Sequence, residues 1–486
     1  MICIPLTAAT NAEMFELMTR AESQPADLIE LRLDYLEENP EVEAFVARSS
    51  LPLIMTCRSR RGGGRFDGSE EERRNIIMRA ANANCAYLNV EAADVPFVAG
   101  RTPNSILIVS ILDFDGTPEN LVEKVRELAT LPVDWVTFAV THRKPEDSVR
   151  VLDAIQKCPK PCVGHAMGEG GLMTRILGLS YGSKVTFGHL ESGHDADPGR
   201  PTVRDLDTVY RVKSITRNTK VYGLLGNPVA QSRGYRLHNR AFEHLGFDGV
   251  YIPFLAESAE KFLDTVPQAI NLHGLSVTIP HKPAALRWAA QSSETAERIG
   301  AANTLTRTNA GWRADNTDMP GIFESIKSAM VGAGMNLTGA EALVLGAGGT
   351  TRAAGMALSL LGCRITLASR SPERAWQIAS RMGWEVEGLE TAVNGSWRVV
   401  ANTTPVGMYP DKVDETLFPA ENWRPDMLAF DAVHNPQETR FLREAAMAGA
   451  VTVDGVEMFL RQAAEQFRLW TGKTMPRISS LTWGGR

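Results

Sequence analysis

Disulfide, zinc and membrane signatures are scarce in this chain of 486 residues. Its six cysteines include no Cys-x-x-Cys pair, and Cys158 and Cys162 lack partner histidines at zinc spacing. We therefore expect no bound metal, and reduced thiols in a cytoplasmic protein. The first residues, MICIPLTAATNAEM, lack the charged and apolar regions of a secretory signal, and no later apolar run is long enough to span a membrane.

Basic blocks are also missing. Lys and Arg total 51 against 57 Asp and Glu, which gives a formal charge of −6 and no basic patch for nucleic acid. A hydrophobic content of 44% is that of an ordinary globular protein, and the length predicts two or three domains. Nucleic acids and membranes are therefore excluded as expected partners, and monomer and homodimer both stay open.

Short β-rich segments alternate with helical segments through the first part of the chain. This pattern predicts an N-terminal (β/α)8 barrel over residues 1–213, with catalytic groups at the carboxyl ends of its strands. The eight predicted strands are 2–5, 28–33, 53–58, 87–91, 106–111, 135–140, 162–166 and 185–188. Predicted helices include 12–20, 70–82, 119–128 and 147–155.

A polar linker at 213–220 separates this barrel from a second α/β region. Strands at 221–225, 249–254 and 274–279 predict a substrate-binding domain over 221–321. A Rossmann-like nucleotide-binding domain follows at 322–455. The last helix, predicted at 456–471, has one apolar face, and the segment 456–486 should complete the substrate domain.

The segment 342–362 predicts a nucleotide-binding strand, turn and helix. Gly346, Gly348 and Gly349, with Ala347 between them, leave room for a pyrophosphate at the helix N-terminus. The spacing G-x-G-G is shorter than G-x-G-x-x-G, so an ordinary glycine turn remains an alternative. After the next strand, 364–368, Arg370 stands where an acidic residue would bind the ribose of NAD, which favours NADP. The alternative is a pair of solvated arginines, Arg370 and Arg374.

Polar motifs cluster between residues 226 and 318, as a small polyhydroxylated substrate requires. They are GNPVAQS at 226–232, SVTIPHK at 276–282, ANT at 302–304 and DNTD at 315–318. With NTTPVGM at 402–408 and M-x-x-x-Q at 458–462, they resemble the shikimate dehydrogenase family over 221–486.

This resemblance implies reversible NADP-linked reduction of 3-dehydroshikimate to shikimate, with Lys282 and Asp318 as the catalytic pair. A lysine steadied by an aspartate can donate the proton that ketone reduction needs, although an ordinary salt bridge is the alternative. The implied substrate-binding residues are Ser232, Thr278, Asn303 and Gln462. The implied cofactor-binding residues are Gly346, Ala347, Gly348, Gly349, Arg370, Thr403 and Met458.

Several positions depart from the family pattern. Gly234 replaces a serine beside the substrate carboxylate, Ser276 replaces an asparagine, and His434 replaces a tyrosine. A missing hydroxyl at Gly234 leaves space next to ring carbon C1, so quinate remains open as a further substrate.

The barrel resembles type I 3-dehydroquinate dehydratase, and the fusion resembles the plant-type bifunctional architecture. The resemblance implies a substrate-like site of Glu30, Arg32, Arg58 and Arg175; a buried Glu30/Arg32 ion pair is the alternative. The family's imine-forming lysine, its histidine and its glutamate are replaced by Thr137, Leu112 and Gly62. A threonine cannot form an imine, so the Schiff-base route is closed.

Other barrel residues offer little compensation. Lys144 and Lys184 lie near strands but not at inward positions. His189 and His194 could support a different reaction, although exposed loop histidines are the favoured interpretation. In the closing loop, Ala196 and Arg200 replace a serine and a glutamine of the family. The sequence thus predicts a shikimate dehydrogenase with a non-dehydrating barrel. The alternatives are a working bifunctional enzyme and a non-catalytic sensor of pathway intermediates.

Overall fold

The computed structural model describes residues 1–100, 104–191, 199–230 and 232–477. The chain forms two compact units, Met1–Leu272 and His273–Arg486. The domain boundaries expected near residues 213, 321 and 455 remain predictions.

Eight parallel strands form the barrel predicted for the first unit. Their order is β7-β6-β5-β4-β3-β2-β1-β8, and an isolated bridge between Cys162 and Ser183 links β7 to the segment before β8. The barrel is therefore nearly closed, and this part of the predicted fold is confirmed. The strands are β1 (Ile2–Leu6), β2 (Leu28–Arg32), β3 (Leu53–Thr56), β4 (Tyr87–Val90), β5 (Ile106–Asp113), β6 (Trp135–Thr141), β7 (Cys162–Met167) and β8 (Thr186–Phe187).

Helices connect these strands. The one predicted at 70–82 begins after Ser69, whose hydroxyl accepts from the backbone N–H of Glu72 while the Glu72 carboxylate accepts from the backbone N–H of Ser69. The helices are α1 (Asn11–Glu22), α2 (Val42–Arg48), α3 (Glu70–Asn82), α4 (Val95–Val98), α5 (Leu121–Leu128), α6 (Pro145–Lys157) and α7 (Leu172–Leu177).

Side-chain alternation along the strands fills the lower part of the barrel with apolar residues. One buried cluster contains Cys3, Leu28, Ile54, Ile108, Val163 and Val185. Two residues further along β2 stands Glu30, on the same face of the strand. The apolar cluster thus lies below a polar layer that is nearer the carboxyl ends of the strands.

The first unit also contains two strands that follow the linker, β9 (Lys220–Gly226) and β10 (Gly249–Leu255). They pair in parallel, with Tyr222 opposite Tyr251. The amide of Asn239 on α8 (Gly234–His244) donates to the Tyr251 carbonyl and accepts from its N–H, which ties this helix to β10. Helix α9 (Ala259–Ala269) precedes the end of the unit.

A mixed sheet begins the second unit. Strand β11 (Leu272–Val277) pairs antiparallel with β13 (Thr304–Thr308), which pairs antiparallel with β14 (Gly311–Asp315). The short β12 (Gln291–Ser292) is parallel to β14. Helices α10 (Lys282–Trp288) and α11 (Glu294–Ile299) lie between these strands in the chain. The strand predicted at 274–279 ends at Val277 because a turn follows, in which the Thr278 carbonyl accepts from the N–H of His281.

Six parallel strands form the second sheet of this unit, in the order β17-β16-β15-β18-β19-β20. The chain continues on opposite sides of β15, and in open α/β sheets ligands bind at such a switch point. This arrangement confirms the predicted Rossmann-like sheet. The strands are β15 (Glu341–Leu345), β16 (Arg364–Ala368), β17 (Glu385–Glu387), β18 (Val399–Asn402), β19 (Leu428–Asp431) and β20 (Val451–Val453).

Helices cover this sheet and end the described chain. The last one begins at an Asp454 cap, whose carboxylate accepts from the N–H of Glu457, and ends before Gly472, whose φ is 69°. It agrees with the predicted helix at 456–471. The helices are α12 (Asp318–Gly332), α13 (Gly349–Leu360), α14 (Pro372–Met382), α15 (Leu389–Ala392), α16 (Arg440–Met447) and α17 (Gly455–Thr471).

The six cysteines are free thiols, as expected. Within the described ranges, no helix has both the length and the apolar character needed to cross a lipid bilayer.

Candidate active site

Lys282 and Asp318 are brought together in the second unit. Lys282 is the first residue of α10 and Asp318 the first of α12, and Lys282 Nζ lies 2.6 Å from Asp318 Oδ2. Their side chains are 12% and 7% exposed, so the ion pair is largely screened from water. The N-terminus of α12 also favours the negative charge of Asp318.

Asn303 holds the other oxygen of the aspartate. Its Nδ2 donates to Asp318 Oδ1 over 2.7 Å and to Thr317 Oγ1 over 3.0 Å. Its Oδ1 accepts from the backbone N–H of Thr317 over 2.7 Å. A backbone donor fixes the orientation of this amide, because a flipped Asn303 would place two donors against each other. Both Asp318 oxygens are thus directed by neighbouring groups.

Two glutamines on α17 reach this cluster. Gln462 Oε1 accepts a weak bond from Asn303 Nδ2 at 3.4 Å, and Gln462 Nε2 donates to the Phe459 carbonyl. One turn later, Gln466 is buried and donates to the Asn303 carbonyl. The sequence analysis missed Gln466. Its position four residues after Gln462, on the same face of a helix, was the available signal.

Thr278 follows the last residue of β11 and is half-buried. Lys282 lies four residues further on, after the short turn closed by His281. The predicted substrate residues Thr278, Asn303 and Gln462 therefore belong to the same unit as the lysine and aspartate.

The glycine turn lies between β15 and α13. Gly346 has a φ of 131°, and a β-carbon there would stand 2.6 Å from Thr403 Oγ1. This position therefore requires glycine. Gly348 has open space where its side chain would be, and α13 begins at Gly349, so its first backbone N–H groups can bind an anion. Ala347 is half-buried in this turn.

Thr403 lies beside the turn. Its Oγ1 donates to the Leu345 carbonyl over 2.7 Å and lies 2.8 Å from Thr351 Oγ1. Lys282 reaches the same region, since a β-carbon on Gly349 would be 3.4 Å from Lys282 Cδ. The glycine turn and the Lys282–Asp318 pair are therefore neighbours.

The remaining predicted cofactor residues lie on either side of this turn. Arg370 is exposed and follows the end of β16 by two residues. Met458 on α17 is buried in the core of the unit, and its carbonyl would be 3.2 Å from a β-carbon on Gly321 of α12. The glycine allows α12 and α17 to approach closely.

Asp431, at the end of β19, is a deeply buried carboxylate near the loop 402–408, which contains the predicted cofactor residue Thr403. It accepts from Thr439 Oγ1 over 2.6 Å, from the N–H of Val433 over 2.9 Å and from Asn402 Nδ2 over 3.0 Å. Burial raises the pKa of Asp431 to about 7, although these three hydrogen bonds favour the charged form. Because Asn402 begins the loop, Asp431 holds its base in place.

Ser232 and Gly234 belong to the first unit. The Ser232 hydroxyl accepts from the N–H of Gly234 over 3.3 Å at the start of α8. A β-carbon on Gly234 would lie 3.4 Å from both Ser232 Oγ and the Tyr251 hydroxyl. The position therefore has room for a small side chain without displacing its neighbours.

A cavity of about 840 Å³ opens at the mouth of the barrel. Glu30, Arg32 and Arg58 line it, together with Arg65 and Arg200. Thr56 Oγ1 donates to Glu30 over 2.7 Å, so this carboxylate has a neutral partner. Arg32 instead makes two hydrogen bonds to Asp34, at 2.9 and 2.8 Å, and the suggested Glu30/Arg32 ion pair is not formed.

The cavity also contains two of the positions at which the sequence analysis expects a dehydratase residue to be replaced. Thr137 and Leu112 line it, and none of its described lining residues is a lysine. Next to Gly62 the space is taken by Glu91, because a β-carbon there would be 2.6 Å from the Glu91 carboxyl carbon. Ser59 holds that carboxylate through its N–H and its hydroxyl.

Two barrel residues lie in surroundings that the sequence did not indicate, and the binding role of Arg175 stays a prediction. Arg175 is 1% exposed and is not among the residues that line the cavity. The pKa of His165 lies well below its usual value, first because that histidine is buried and second because the positive charge of Arg175 is nearby. His189 is not an exposed loop histidine, since it is half-buried and lines the cavity, where Phe187 precedes it by two residues. Sequence alone could not distinguish these placements because both depend on where the chain turns after β7 and β8.

Lys144 and Lys184 are exposed and absent from the cavity lining, as their positions outside the inward pattern predicted. His194 and Ala196 lie outside the described residues.

Three segments of the chain match known families. Residues 2–217 match type I 3-dehydroquinase, residues 224–305 match the shikimate dehydrogenase substrate-binding domain, and residues 455–477 match the shikimate 5'-dehydrogenase C-terminal domain.

Individual relatives cover the whole chain or its second half. The chloroplastic bifunctional 3-dehydroquinate dehydratase/shikimate dehydrogenase of Arabidopsis thaliana is 35% identical over 99% of this chain and 83% of its own. The NADP(+) shikimate dehydrogenase of Methanothermobacter thermautotrophicus is 37% identical over 54% of this chain and 94% of its own.

A solved structure of shikimate 5-dehydrogenase from Thermus thermophilus, in complex with NADP(H) and shikimate, is 35% identical over 53% of this chain and 95% of its own, with a TM-score of 0.47. The barrel, the Rossmann-type sheet and the near full-length similarity to the plant protein together establish that the chain belongs to the family of fused type I 3-dehydroquinate dehydratase/shikimate dehydrogenase proteins.

Proposed function

We propose that this protein catalyses the reversible NADP-linked reduction of 3-dehydroshikimate to shikimate. The observation that carries the proposal is the buried Lys282–Asp318 pair, which lies against Gly349 of the glycine turn. A proton donor beside a dinucleotide turn is what ketone reduction requires, whereas a protein that only senses a ligand has no need of it.

NADP fits the residues of the second unit. The positive φ of Gly346 and the open space at Gly348 form a turn that a pyrophosphate can approach closely, and α13 presents its positive end there. The exposed guanidinium of Arg370, after β16, would bind the 2′-phosphate. When bound, the reduced cofactor supplies a hydride to the carbonyl carbon of the substrate.

The chain itself supplies the proton. Lys282 Nζ has three N–H groups and uses one for Asp318, which leaves donors for the carbonyl oxygen of the substrate. As hydride reaches the carbon, that oxygen takes a proton from Nζ and becomes a hydroxyl. Asp318 balances the lysine charge before transfer, and Asn303 keeps its carboxylate directed at Nζ. In shikimate oxidation the same atoms act in reverse.

We also propose that the barrel does not dehydrate 3-dehydroquinate. Support comes from the cavity, which contains Thr137 where the family has an imine-forming lysine, and no lysine among its described lining residues. A hydroxyl cannot condense with a ketone to give an imine.

The barrel still has a polar interior, which supports ligand binding without turnover. Asn89 lines the cavity, is 7% exposed, and its Oδ1 has no hydrogen-bond partner among the described residues. Buried oxygens of this kind are usually satisfied, so a polyhydroxylated or anionic ligand held by Asn89, Glu30 and Arg58 would complete the site.

NADPH formation by the purified full-length protein, with shikimate and separately with quinate, tests the proposal. We expect turnover with shikimate and NADP⁺. Absence of turnover with either acid, in protein that binds NADP⁺, would favour the sensor alternative. Formation of 3-dehydroshikimate from 3-dehydroquinate, followed in the same preparation, would instead identify a working bifunctional enzyme.

A further inference from the structure

The amide of Gln466 is buried between three polar groups of the second unit. Gln466 is 1% exposed. Its Oε1 accepts from Ser276 Oγ over 2.8 Å. Its Nε2 donates to the Asn303 carbonyl over 3.1 Å and to Thr304 Oγ1 over 3.0 Å. Both N–H groups are therefore used, and no donor of Gln466 is left for a substrate.

A series of hydrogen bonds connects Gln466 to the Lys282–Asp318 pair, and each has a defined donor and acceptor. Because Thr304 Oγ1 accepts from Gln466, its own proton points away, and it donates to Asn303 Oδ1 over 2.9 Å. With Oδ1 occupied as an acceptor, the Nδ2 group of Asn303 faces Asp318 Oδ1 at 2.7 Å. The other Asp318 oxygen accepts from Lys282.

We propose that Gln466 is a positioning residue for proton transfer. It holds the backbone carbonyl of Asn303 directly and, through Thr304 Oγ1, supports the amide orientation of Asn303, and thereby the direction in which Asp318 holds Lys282 Nζ. The inference rests on the proposed dehydrogenase activity and adds a residue that touches none of the reacting atoms. The backbone N–H of Thr317 also donates to Asn303 Oδ1, so loss of Gln466 should loosen the cluster without dismantling it.

Two substitutions separate this role from packing. Gln466→Glu keeps the volume and the acceptor for Ser276 but removes both donors, and Gln466→Leu removes every hydrogen bond of the amide. Trp470→Phe is the matched control. Trp470 lies one turn later on α17, and its Nε1 donates to the Leu305 carbonyl over 3.1 Å. That bond also ties α17 to β13, but it does not reach Asn303.

The experiment measures kcat and KM for shikimate and NADP⁺, with thermal stability, in the full-length protein. We expect kcat to fall about tenfold in both Gln466 variants, with KM for NADP⁺ unchanged and KM for shikimate within about twofold. Trp470→Phe should lose a comparable amount of stability and keep its kcat. The solvent deuterium isotope effect on kcat should rise in Gln466→Glu, because proton transfer becomes slower.

Two results would overturn the inference. One is a wild-type kcat in Gln466→Glu. The other is a fall in kcat in Trp470→Phe that matches the Gln466 variants at equal loss of stability, which would reduce Gln466 to packing. If Gln466→Leu does not fold, Gln466→Glu and Ser276→Ala carry the comparison. A wild-type protein without shikimate turnover would contradict the proposed function itself, and the parallel wild-type assay distinguishes that case.

Discussion

Lys282 lies against Gly349: a β-carbon on that glycine would stand 3.4 Å from Lys282 Cδ. The proton donor proposed for the substrate and the first residue of the helix proposed to bind the cofactor are thus in contact range. This adjacency links two motifs that are 67 positions apart in the chain, and the first prediction follows from it.

Replacing Lys282 with alanine should lower kcat about 10²–10⁴-fold, the usual contribution of a general acid. Binding of NADP⁺ should persist, because no phosphate contact is assigned to Lys282. Steady-state kinetics and a cofactor titration check the two halves separately. Arg287→Ala, a basic residue near the end of the same helix, is the control. A near wild-type kcat in Lys282→Ala would remove the lysine from the mechanism.

Arg370→Ala should weaken the binding of NADP⁺ by about 2–3 kcal/mol, the scale of a charge-assisted hydrogen bond, and leave the binding of NAD⁺ nearly unaffected. The measurement is KM for both cofactors. Arg364→Ala, at the opposite end of β16 and paired with Glu341, should change neither. Equal effects of Arg370→Ala on both cofactors would show that it does not bind the 2′-phosphate.

Borohydride reduction in the presence of 3-dehydroquinate should trap no covalent adduct on the barrel. The reason is Thr137, whose hydroxyl cannot form the imine that borohydride reduces. Mass spectrometry of peptides from the treated protein checks this. An adduct on Lys144 or Lys184 would show that the nucleophile has moved to one of these exposed lysines.

Gly234→Ser should raise the ratio of kcat/KM for shikimate over quinate about fivefold or more, since one hydrogen bond contributes about 1 kcal/mol. The added β-carbon fits, at 3.4 Å from Ser232 Oγ and the Tyr251 hydroxyl. Gly234→Ala adds the bulk without the hydroxyl and separates the two effects. A ratio that stays constant or moves toward quinate would show that neither the missing hydroxyl nor the free space at Gly234 affects the choice of substrate.

Stability should fall as pH rises from about 4 to about 7 through the titration of Asp431. Its folded pKa is raised to about 7 by burial, so the folded state keeps a proton that the unfolded chain has already lost. The stabilising contribution is complete below pH 4 and lost above pH 7, by up to about 4 kcal/mol at 1.36 kcal/mol per pKa unit.

Denaturant unfolding of the wild type and of Asp431→Asn across this range tests the sign. The variant should show a flatter dependence, because its side chain does not titrate. Wild-type stability that increases over the same interval would mean that the three hydrogen bonds to Asp431 prevail over burial.

Most of the fold could be predicted from local sequence patterns. The strand at 364–368 and the helix at 70–82 match their predicted bounds, because β-rich segments and capped amphipathic helices can be recognised from a few neighbouring residues. The strand predicted at 274–279 was placed two residues too late, since the observed strand is Leu272–Val277 and apolar Ile279 continues the pattern although the chain already turns.

The parts of the site that could not be predicted depend on distant partners. Gln466 matters through Ser276, 190 positions earlier, and no local pattern records that hydrogen bond. Likewise, Glu91 fills the space beside Gly62, and Asp34 rather than Glu30 pairs with Arg32. In each case the sequence shows the residue, but its contact partner depends on how the strands and helices pack and could not be predicted from local patterns.

The position of α17 has a consequence for the order in which the protein is made. Gln466 bonds to Asn303 across 163 positions of chain, and Gln462 lies on the same helix. When the ribosome has synthesised the glycine turn and both members of the Lys282–Asp318 pair, it has therefore not yet produced Gln462 and Gln466, which bond to Asn303. The nascent chain can form its barrel early, whereas the proposed dehydrogenase site becomes complete only when this late helix has left the exit tunnel and docked.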